Sequence, residues 1–541
     1  MDHAFKTLGT MLDCSRNAVM TVASVKRWID LTARLGFNTL HLYMEDTYEV
    51  DGNPYFGHLR GRYSKAELKE IDDYAAAQGM QVIPCVQTLA HVNALFHWPV
   101  YRQICDTGDI LLTGDARTYA LVERMFRTLR ECLRTNVVNI GMDEADLLGL
   151  GKYLTLHGYR NRFSILMEHL RRISEMAKRF GFELLMWGDM FFRLAGGDYF
   201  TNSNQNPALG EIPEEIKRLV PENIHLVYWD YFSRDRQSYE KNIDAHNAIK
   251  PGSWFAGGLW TWTGFAPHNA FSIATMREAM LACRAKGVEN VFMTMWGDNG
   301  AECSKFAMLP SLFTVAQMAR GMDDEDTIRA NFEKEFGISF EDFLALDLTG
   351  TQNASAEAIY NPDKYLLYCD PFMGQYDNRV KPADAASYAA CAARLSKHAS
   401  HFEYGRLFRS LRALCTFLSV KADLGIRTRA AYRSGDKAAA KALCADYDTA
   451  VEHLAAFYTA YEEQWMHENK PQGFDVIDLR IGGQRQRLLH CKARLLAYAD
   501  GRLDRIEELE ESVLDCHCEE NADGQATRAI FWHEIASANV I

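Results

Sequence analysis

The sequence predicts an α/β fold, a (β/α)8 barrel (TIM barrel), followed by an all-α helical domain. Over the first ~330 residues, short apolar runs alternate with amphipathic helical stretches, as in a barrel of eight units. Near residue 350 the short apolar runs stop, and long helical stretches such as 384–424 and 436–465 follow. We therefore predict a barrel over residues 1–340 and a helical C-terminal domain over residues 350–541.

The predicted strands are short and almost continuously apolar, which is typical of strands buried on both faces of a parallel sheet. They are residues 7–15, 39–44, 81–86, 137–143, 183–189, 224–230, 253–260 and 291–298. An open, doubly wound sheet is the alternative because it has the same alternation. The barrel is favoured since no predicted strand is followed by a GxGxxG loop.

Two of the intervening helices have recognisable ends. The stretch "SKAELKEIDDYAAAQG" begins at Ser64, has Glu67 three residues later as in a capping box, and stops at Gly79. The stretch "SVKRWIDLTARLG" is predicted to run from Ser24 to Gly36. Helices with such ends between apolar runs support the alternating pattern.

Composition excludes several classes of partner. The net charge is -13 and no Lys- or Arg-rich run is present, so nucleic acid is a poor partner. No apolar run is long enough to cross a membrane, and the N-terminus lacks the pattern of a secretory signal.

The 13 cysteines have no framework spacing, which favours reduced thiols in the cytoplasm. Cys516, His517 and Cys518 lack a second pair at zinc spacing, so we expect no metal and no other cofactor.

Polar and aromatic residues gather where the predicted strands end, which is the functional face of a barrel. They are Arg16, Glu45, Asp46, His91, Asp143, Glu144, Trp187, Asp189, Trp229, Tyr231, Trp260, Trp262, Trp296 and Asp298. Indole faces stack on the C–H faces of a sugar, while carboxylates and arginine bind its hydroxyls. The pattern therefore indicates a carbohydrate pocket.

Each of these residues also has a structural interpretation. The tryptophans could fill the barrel, and Arg16 could form a structural salt bridge. His91 could be a histidine satisfied at a helix start, and Glu45 with Asp46 could cap a loop. Their convergence on one rim favours a common site.

The adjacent acids Asp143 and Glu144 in "VVNIGMDEADLLG" are the most informative feature. In most glycosidases the two catalytic carboxyls lie on opposite sides of the scissile bond, roughly 5 Å or more apart. Neighbouring acids instead suit a substrate that supplies its own nucleophile, such as the 2-acetamido group of an N-acetylhexosamine. Since side chains alternate along a strand, we expect the pair where the strand gives way to a loop. A solvated acidic loop is the alternative.

These motifs resemble glycoside hydrolase family 20 β-N-acetylhexosaminidases, whose barrels bear an Asp–Glu pair after strand four. "GMDEA" matches that pair, so the resemblance implies that Asp143 orients the acetamide and Glu144 is the general acid and base. "MLDCSRN" is similar to the strand-one motif, which implies that Arg16 binds the 3- and 4-hydroxyls. The block from "GRYSKAELKE" to "HVNALFHWP" is similar to the strand-three block, which implies that His91 is the pocket histidine.

The later strands extend the resemblance. "MWGDM" and "VYWD" match pocket tryptophans, which implies that Trp187 and Trp229 wall the acetamide. "MWGDNG" implies that Trp296 lies in the pocket and that Asp298 binds the 4- and 6-hydroxyls. The helical C-terminal region resembles the one found in a branch of exo-acting N-acetylglucosaminidases.

The chain also departs from the family pattern. The family usually has a small α/β domain before the barrel, whereas strand one here is predicted almost at Met1. The family's strand-seven Tyr-x-Asp, whose tyrosine binds the acetamide carbonyl, is replaced here by Trp260, Thr261 and Trp262. Trp260 is predicted to bind substrate. Tyr231 is expected to replace the missing tyrosine, because it shares a strand face with Trp229.

The sequence thus predicts an exo-acting, retaining β-N-acetylhexosaminidase that releases terminal N-acetylglucosamine, with N-acetylgalactosamine as the alternative sugar. One rival is a retaining glycosidase in which Asp189 or Asp298 is the nucleophile. Another is a sugar-binding barrel without activity. The family resemblance also suggests a homodimer formed through the helical domain.

Overall fold

The computed structural model describes residues 4–195, 214–351, 358–519, 524–530 and 532–536. The chain divides into two compact units. The barrel unit comprises Met1–Leu259, Ser272–Trp296 and Leu312–Ile328, and the helical unit comprises Trp260–Phe271, Gly297–Ser311 and Arg329–Ile541. The segments that carry Trp260, Trp262 and Asp298 therefore belong to the helical unit.

The barrel unit is built on a closed sheet of eight parallel strands, which confirms the predicted fold class and rules out an open sheet. The order is β1-β10-β9-β8-β7-β6-β3-β2, and β1 pairs with both β10 and β2 to close the barrel. The strands are β1 (Thr7–Asp13), β2 (Thr39–Tyr43), β3 (Gln81–Cys85), β6 (Val137–Asn139), β7 (Glu183–Trp187), β8 (Ile224–Trp229), β9 (Trp254–Gly258) and β10 (Asn290–Met295). A separate antiparallel pair is formed by β4 (Cys105–Thr107) and β5 (Ile110–Leu111).

The strand after which the acid pair lies is shorter than predicted. The prediction extended it over 137–143, but β6 ends at Asn139. The Asn139 side chain causes the turn, because its Oδ1 accepts the Gly141 N–H at 2.9 Å. The acids consequently stand on a loop, as the alternation argument required.

The helices up to residue 319 are α1 (Val22–Leu35), α2 (Lys65–Ala77), α3 (Asn93–Phe96), α4 (Ala116–Cys132), α5 (Lys152–His157), α6 (Arg162–Arg179), α7 (Asp189–Ala195), α8 (Glu214–Lys217), α9 (Arg236–Ile249), α10 (Asn269–Ala285) and α11 (Leu309–Ala319). The Ser64–Glu67 capping box of α2 is present as predicted. The predicted start of α1 at Ser24 is wrong, because Thr21 caps the helix and accepts the Ser24 N–H. Its predicted end at Gly36 is confirmed by a left-handed residue with φ 95°.

Long helices dominate the rest of the chain, as predicted. They are α12 (Glu325–Phe336), α13 (Phe340–Leu344), α14 (Leu348–Thr351), α15 (Pro362–Tyr368), α16 (Asp384–Leu395), α17 (Gly405–Lys421), α18 (Leu424–Arg433), α19 (Lys437–Glu468), α20 (Phe474–Ala499), α21 (Glu507–Glu510) and α22 (Trp532–Ile535). Short 3₁₀ turns occur at Pro99–Ile104, Lys305–Met308, Ala345–Asp347, Asp377–Arg379 and Ser396–His398. Within the described ranges, no helix has both the length and the apolar composition needed to cross a bilayer.

Aromatic side chains fill the barrel beneath the strand ends. The rings of His41 and Phe292 stack at 4.2 Å, and Trp187 and Trp254 pack against Phe292 at 5.9 and 6.4 Å. Burial lowers the pKa of His41 to about 3, so its ring is neutral and acts as packing. This layer forms a rigid floor for the site above it.

Candidate active site

The acid pair lies on a loop with unusual backbone geometry. Gly141, Met142 and Glu144 all have left-handed φ angles, of 70°, 68° and 51°. Asp143 is buried, whereas 40% of the Glu144 side chain is exposed. The twisted backbone thus gives two neighbouring acids different surroundings, which division of labour between them requires.

Gln87, which the sequence argument missed, fixes this loop. Its Nε2 donates to Asp143 Oδ1 at 2.9 Å, and its Oε1 accepts the Met142 N–H at 3.2 Å. Nε2 also lies 2.9 Å from Tyr43 Oη. A Cβ at position 141 would overlap the Gln87 side chain, so only glycine fits there.

We expect Gly141→Ala to lower kcat strongly by displacing Gln87 from Asp143. Gly79→Ala is the matched control, because Gly79 also has a left-handed φ, of 73°, but nothing lies within 4 Å of its Cβ position. Both variants carry the backbone strain of alanine at positive φ, and only one carries the collision. Equal kcat values in steady-state assays of the two variants would show that Gln87 does not hold the acid.

His91 is the second partner of Asp143. The sequence predicts this histidine in the site. Its Nε2 lies 3.2 Å from Asp143 Oδ2 and 3.7 Å from Glu144 Oε2. Asp109 accepts the His91 backbone N–H at 3.0 Å and lies 3.8 Å from Nδ1. Burial lowers the pKa of His91, but the Asp143 carboxylate outweighs it and raises that pKa above its ordinary value. The ring is therefore an imidazolium beside Asp143.

The two acids also differ in the direction in which their surroundings shift their pKa values. Burial would raise the pKa of Asp143, but the charge of His91 and the hydrogen bond from Gln87 hold it below its ordinary value. Burial and the Asp143 charge raise the pKa of Glu144, against smaller lowering effects of His91 and Arg193. The surroundings thus lower the pKa of one acid and raise that of its neighbour, so Glu144 holds its proton more strongly than an ordinary glutamate.

Arg16 lies on the other side of the site, after β1. It pairs with Asp13 Oδ2 at 3.1 Å and with Glu45 Oε1 at 3.5 Å. Its guanidinium lies over the rings of Tyr43 and Trp296, 4.6 and 4.8 Å from their centroids. Arg16 therefore does form the salt bridges that were the alternative interpretation of this residue. Its side chain is still 21% exposed. Glu45 takes part in this cluster as well, since it also accepts from Tyr43 Oη at 3.1 Å.

Aromatic side chains line the site in the barrel unit. Trp187 and Trp296 pack together at 6.0 Å, and Trp229 stacks on Tyr231 at 5.3 Å. Trp187 and Tyr231 are almost fully buried. Burial raises the pKa of Tyr231, which also feels the charges of Asp143 and Glu144, so the phenol stays protonated near the acids.

Trp260 and Asp298 are placed by segments of the helical unit. The ring of Trp260 stacks on Trp262 at 4.0 Å and lies 5.1 Å from the Arg528 guanidinium. Burial lowers the pKa of Arg528, while the Asp298 carboxylate acts against this effect. The substrate-binding roles of Trp260 and Asp298 stay predictions.

Asp189, the first residue of α7, and Arg193, one turn later, complete the described site. Asp189 Oδ2 accepts the Glu144 N–H at 3.0 Å and lies 3.3 Å from Arg193 Nε. Arg193 Nη2 lies 3.4 Å from Glu144 Oε1. No pattern in the sequence marks Arg193 as a site residue, because an arginine one turn inside a helix is most often solvated.

An ionised aspartate, an adjacent glutamic acid and indole walls at the carboxyl ends of barrel strands define a glycoside hydrolase site. The chain belongs to glycoside hydrolase family 20. The family's catalytic-domain model matches residues 5–250, and the Glycoside Hydrolase 20C C-terminal domain model matches residues 339–528. It is therefore a glycoside hydrolase of the β-N-acetylhexosaminidase family.

The chain is similar to several hexosaminidases. Hexosaminidase D of Homo sapiens is 23% identical over 356 residues, covering 60% of this chain and 68% of the human protein. Hexosaminidase D of Bos taurus is 28% identical over 337 residues, covering 56% of this chain and 90% of the bovine protein. The family 20 exo-β-N-acetylglucosaminidase of Vibrio harveyi, solved with N-acetylglucosamine, superposes with a TM-score of 0.45 at 14% identity. That match covers 64% of this chain and 59% of the Vibrio chain.

Proposed function

We propose that this protein is an exo-acting, retaining β-N-acetylhexosaminidase that uses substrate-assisted catalysis. The observation that carries the proposal is the pairing of an ionised Asp143, held by Gln87 and His91, with a Glu144 whose pKa is raised. Neighbouring acids whose pKa values are shifted in opposite directions suit a sugar whose acetamide oxygen attacks its own anomeric carbon.

In the first step, the acetamide carbonyl oxygen forms a bond to C1 as the C1–oxygen bond to the leaving group breaks. Glu144 gives its proton to the departing oxygen. Asp143 accepts a hydrogen bond from the acetamide N–H and stabilises the positive charge of the oxazolinium. In the second step water attacks C1, the ring opens, and Glu144 takes the proton from water, so the β configuration is retained.

The rest of the barrel unit supports binding in this proposal. Arg16 binds sugar hydroxyls, while Trp187, Trp229 and Trp296 hold the acetamide against C1 and exclude water. Tyr231 donates to the acetamide carbonyl, because it is protonated, lies beside the acids and stacks on Trp229.

The rival mechanism with Asp189 as nucleophile is disfavoured by geometry. A nucleophile must face the acid across the scissile bond at roughly 5 Å. Asp189 instead accepts a hydrogen bond from the peptide N–H of Glu144 itself and is paired with Arg193. These two contacts hold Asp189 against the main chain of the proposed acid.

An N-acetylglucosamine-thiazoline inhibitor tests the nucleophile, because it mimics the cyclised intermediate. We expect it to inhibit competitively and to bind at least ~100-fold more tightly than N-acetylglucosamine. The 2-deoxy-2-fluoro glycoside that traps protein nucleophiles should leave the enzyme active. The reverse pattern would establish a protein nucleophile. Inactivity on every aryl N-acetylhexosaminide would favour the rival interpretation, a sugar-binding barrel without activity. Comparing kcat/KM on the glucosaminide and galactosaminide identifies the preferred sugar.

We further propose that the enzyme is cytoplasmic and a homodimer. All 13 cysteines are free thiols, and all but three of them are buried, which suits a reducing compartment. Fractionation of the source cells tests the location. Light scattering should give about twice the chain mass of 61.5 kDa, and a mass equal to one chain would exclude the dimer.

A further inference from the structure

Arg193 contacts three carboxylates at the rim of the barrel unit. Its guanidinium lies 3.4 Å from Glu144 Oε1, 3.0 Å from Asp146 Oδ2 and 3.3 Å from Asp189 Oδ2. Its side chain is 26% exposed, so these ion pairs are only partly solvated. Because Asp146 and Asp189 hold the guanidinium, it places a permanent positive charge beside the Glu144 carboxyl group.

Asp189 links this arginine to the backbone of Glu144. It accepts the Glu144 N–H at 3.0 Å, at a residue whose φ of 51° is unfavourable for a glutamate. Asp189 and Arg193 are four residues apart on α7, so the helix itself keeps them paired. The pair therefore fixes both the main chain and the carboxyl group of Glu144.

We propose that Arg193, held by Asp189, is a positioning residue that acts through Glu144, orienting its carboxyl and stabilising its ionised form. This inference rests on the proposed function, in which Glu144 alternates between acid and base. As the proton leaves for the glycosidic oxygen, the carboxylate forms beside the guanidinium. In the second step the same cation keeps the carboxylate aimed at water until it accepts the proton.

The charges around Glu144 show why one cation matters. Asp143, Asp146 and Asp189 are the neighbouring acids, and all three disfavour a further negative charge. The opposing cations are His91 and Arg193, but His91 is already paired with Asp143 at 3.2 Å. His91 has the larger lowering effect on the pKa of Glu144, and Arg193, 3.4 Å from Glu144 Oε1, is the second cation that helps Glu144 give up its proton.

Replacing Arg193 by methionine tests this role through the pH dependence of kcat/KM. The alkaline limb reports loss of the proton from Glu144, so it should move up by about one pH unit when the cation is removed. Because the acid becomes weaker, a sugar leaving group should suffer roughly tenfold more than a 2,4-dinitrophenyl leaving group, which needs little protonation. Arg193→Lys keeps the charge and should keep the limb near its wild-type position.

Asp146→Asn gives a second test with the opposite sign, on a half-exposed side chain whose replacement should not disturb folding. Removing this acid takes away a negative charge that raises the pKa of Glu144 and leaves Arg193 with Glu144 and Asp189 as partners, so the alkaline limb should move down. Arg171→Met is the surface control and should leave the alkaline limb in place. Both side chains of the Arg171–Glu175 pair are about 60% exposed.

Alkaline limbs that stay in place in both Arg193→Met and Asp146→Asn, with kcat reduced equally for both leaving groups, would overturn the proposal. Arg193 would then be an ordinary structural ion pair. The proposed function is judged separately, on the wild-type enzyme, by its activity and its thiazoline inhibition. A wild type that passes both while the variants show no shift refutes only the role of Arg193.

Discussion

Glu144→Gln should lower kcat on N-acetylhexosaminides by about 10²- to 10⁴-fold while KM changes little. Glutamine has nearly the same shape and preserves binding, but it has no proton to give to the leaving oxygen. It also cannot take the proton from water in the second step. Both steps lose their proton transfer, which is why this effect is expected to be among the largest of any single substitution.

Steady-state kinetics with two leaving groups measure this prediction. With 2,4-dinitrophenol the first step needs little acid, so the loss should shrink and the second step should become limiting. Glu175→Gln is the matched control, because it makes the same exchange on an exposed helix surface. Near-normal turnover of Glu144→Gln would remove this residue from the mechanism.

Asp143→Asn should also reduce kcat strongly, by about 10²- to 10³-fold. The acetamide N–H would lose its charged acceptor, and the oxazolinium would lose the carboxylate that stabilises it. His91 would lose its ion-pair partner at 3.2 Å, so its pKa should fall toward its ordinary value. The variant therefore changes the charge of two groups in the site.

Kinetic assays combined with NMR titration of His91 test both parts of this prediction. Asp30→Asn serves as the control for the exchange itself, since Asp30 is exposed. A histidine titration unchanged from that of the wild type would contradict the pairing seen in the structure. Retention of full activity would show that Asp143 does not contact the acetamide.

Sequence periodicity was sufficient to predict the barrel, because each strand is a short apolar run followed by a helix with recognisable ends. It also placed Asp143 and Glu144 beyond the strand, since alternating side chains would otherwise separate them. The early stop of β6 was not predictable in this way. It depends on the Asn139 side chain bonding to Gly141, a local contact that competes with the strand.

The residues that the sequence argument missed act through distant contacts. Gln87 lies 56 positions from Asp143 in the chain, and Arg193 lies 49 positions from Glu144. Gln87 lies inside the strand-three block, but nothing in that block distinguishes it from its neighbours, and no periodicity marks either residue. Gln87 lies two residues after the end of β3, so its place near a strand end was the one available signal.

The helical region was recognised as such, but its compact unit also takes in two segments that follow barrel strands. Buried contacts explain this: Asp363 accepts the Phe265 N–H at 2.7 Å, and Lys364 pairs with Glu302 at 2.8 Å. These bonds join residues 98 and 62 positions apart. Hydrophobic patterning carries no information about such pairings.

Rates on a series of substrates with N-acetyl, N-fluoroacetyl, N-difluoroacetyl and N-trifluoroacetyl groups test the central claim most directly. If the acetamide oxygen is the nucleophile, each fluorine makes it less basic, and kcat/KM should fall steeply and steadily along the series. Rates that stay level across the series, with the same aryl leaving group, would mean that the attacking atom belongs to the protein.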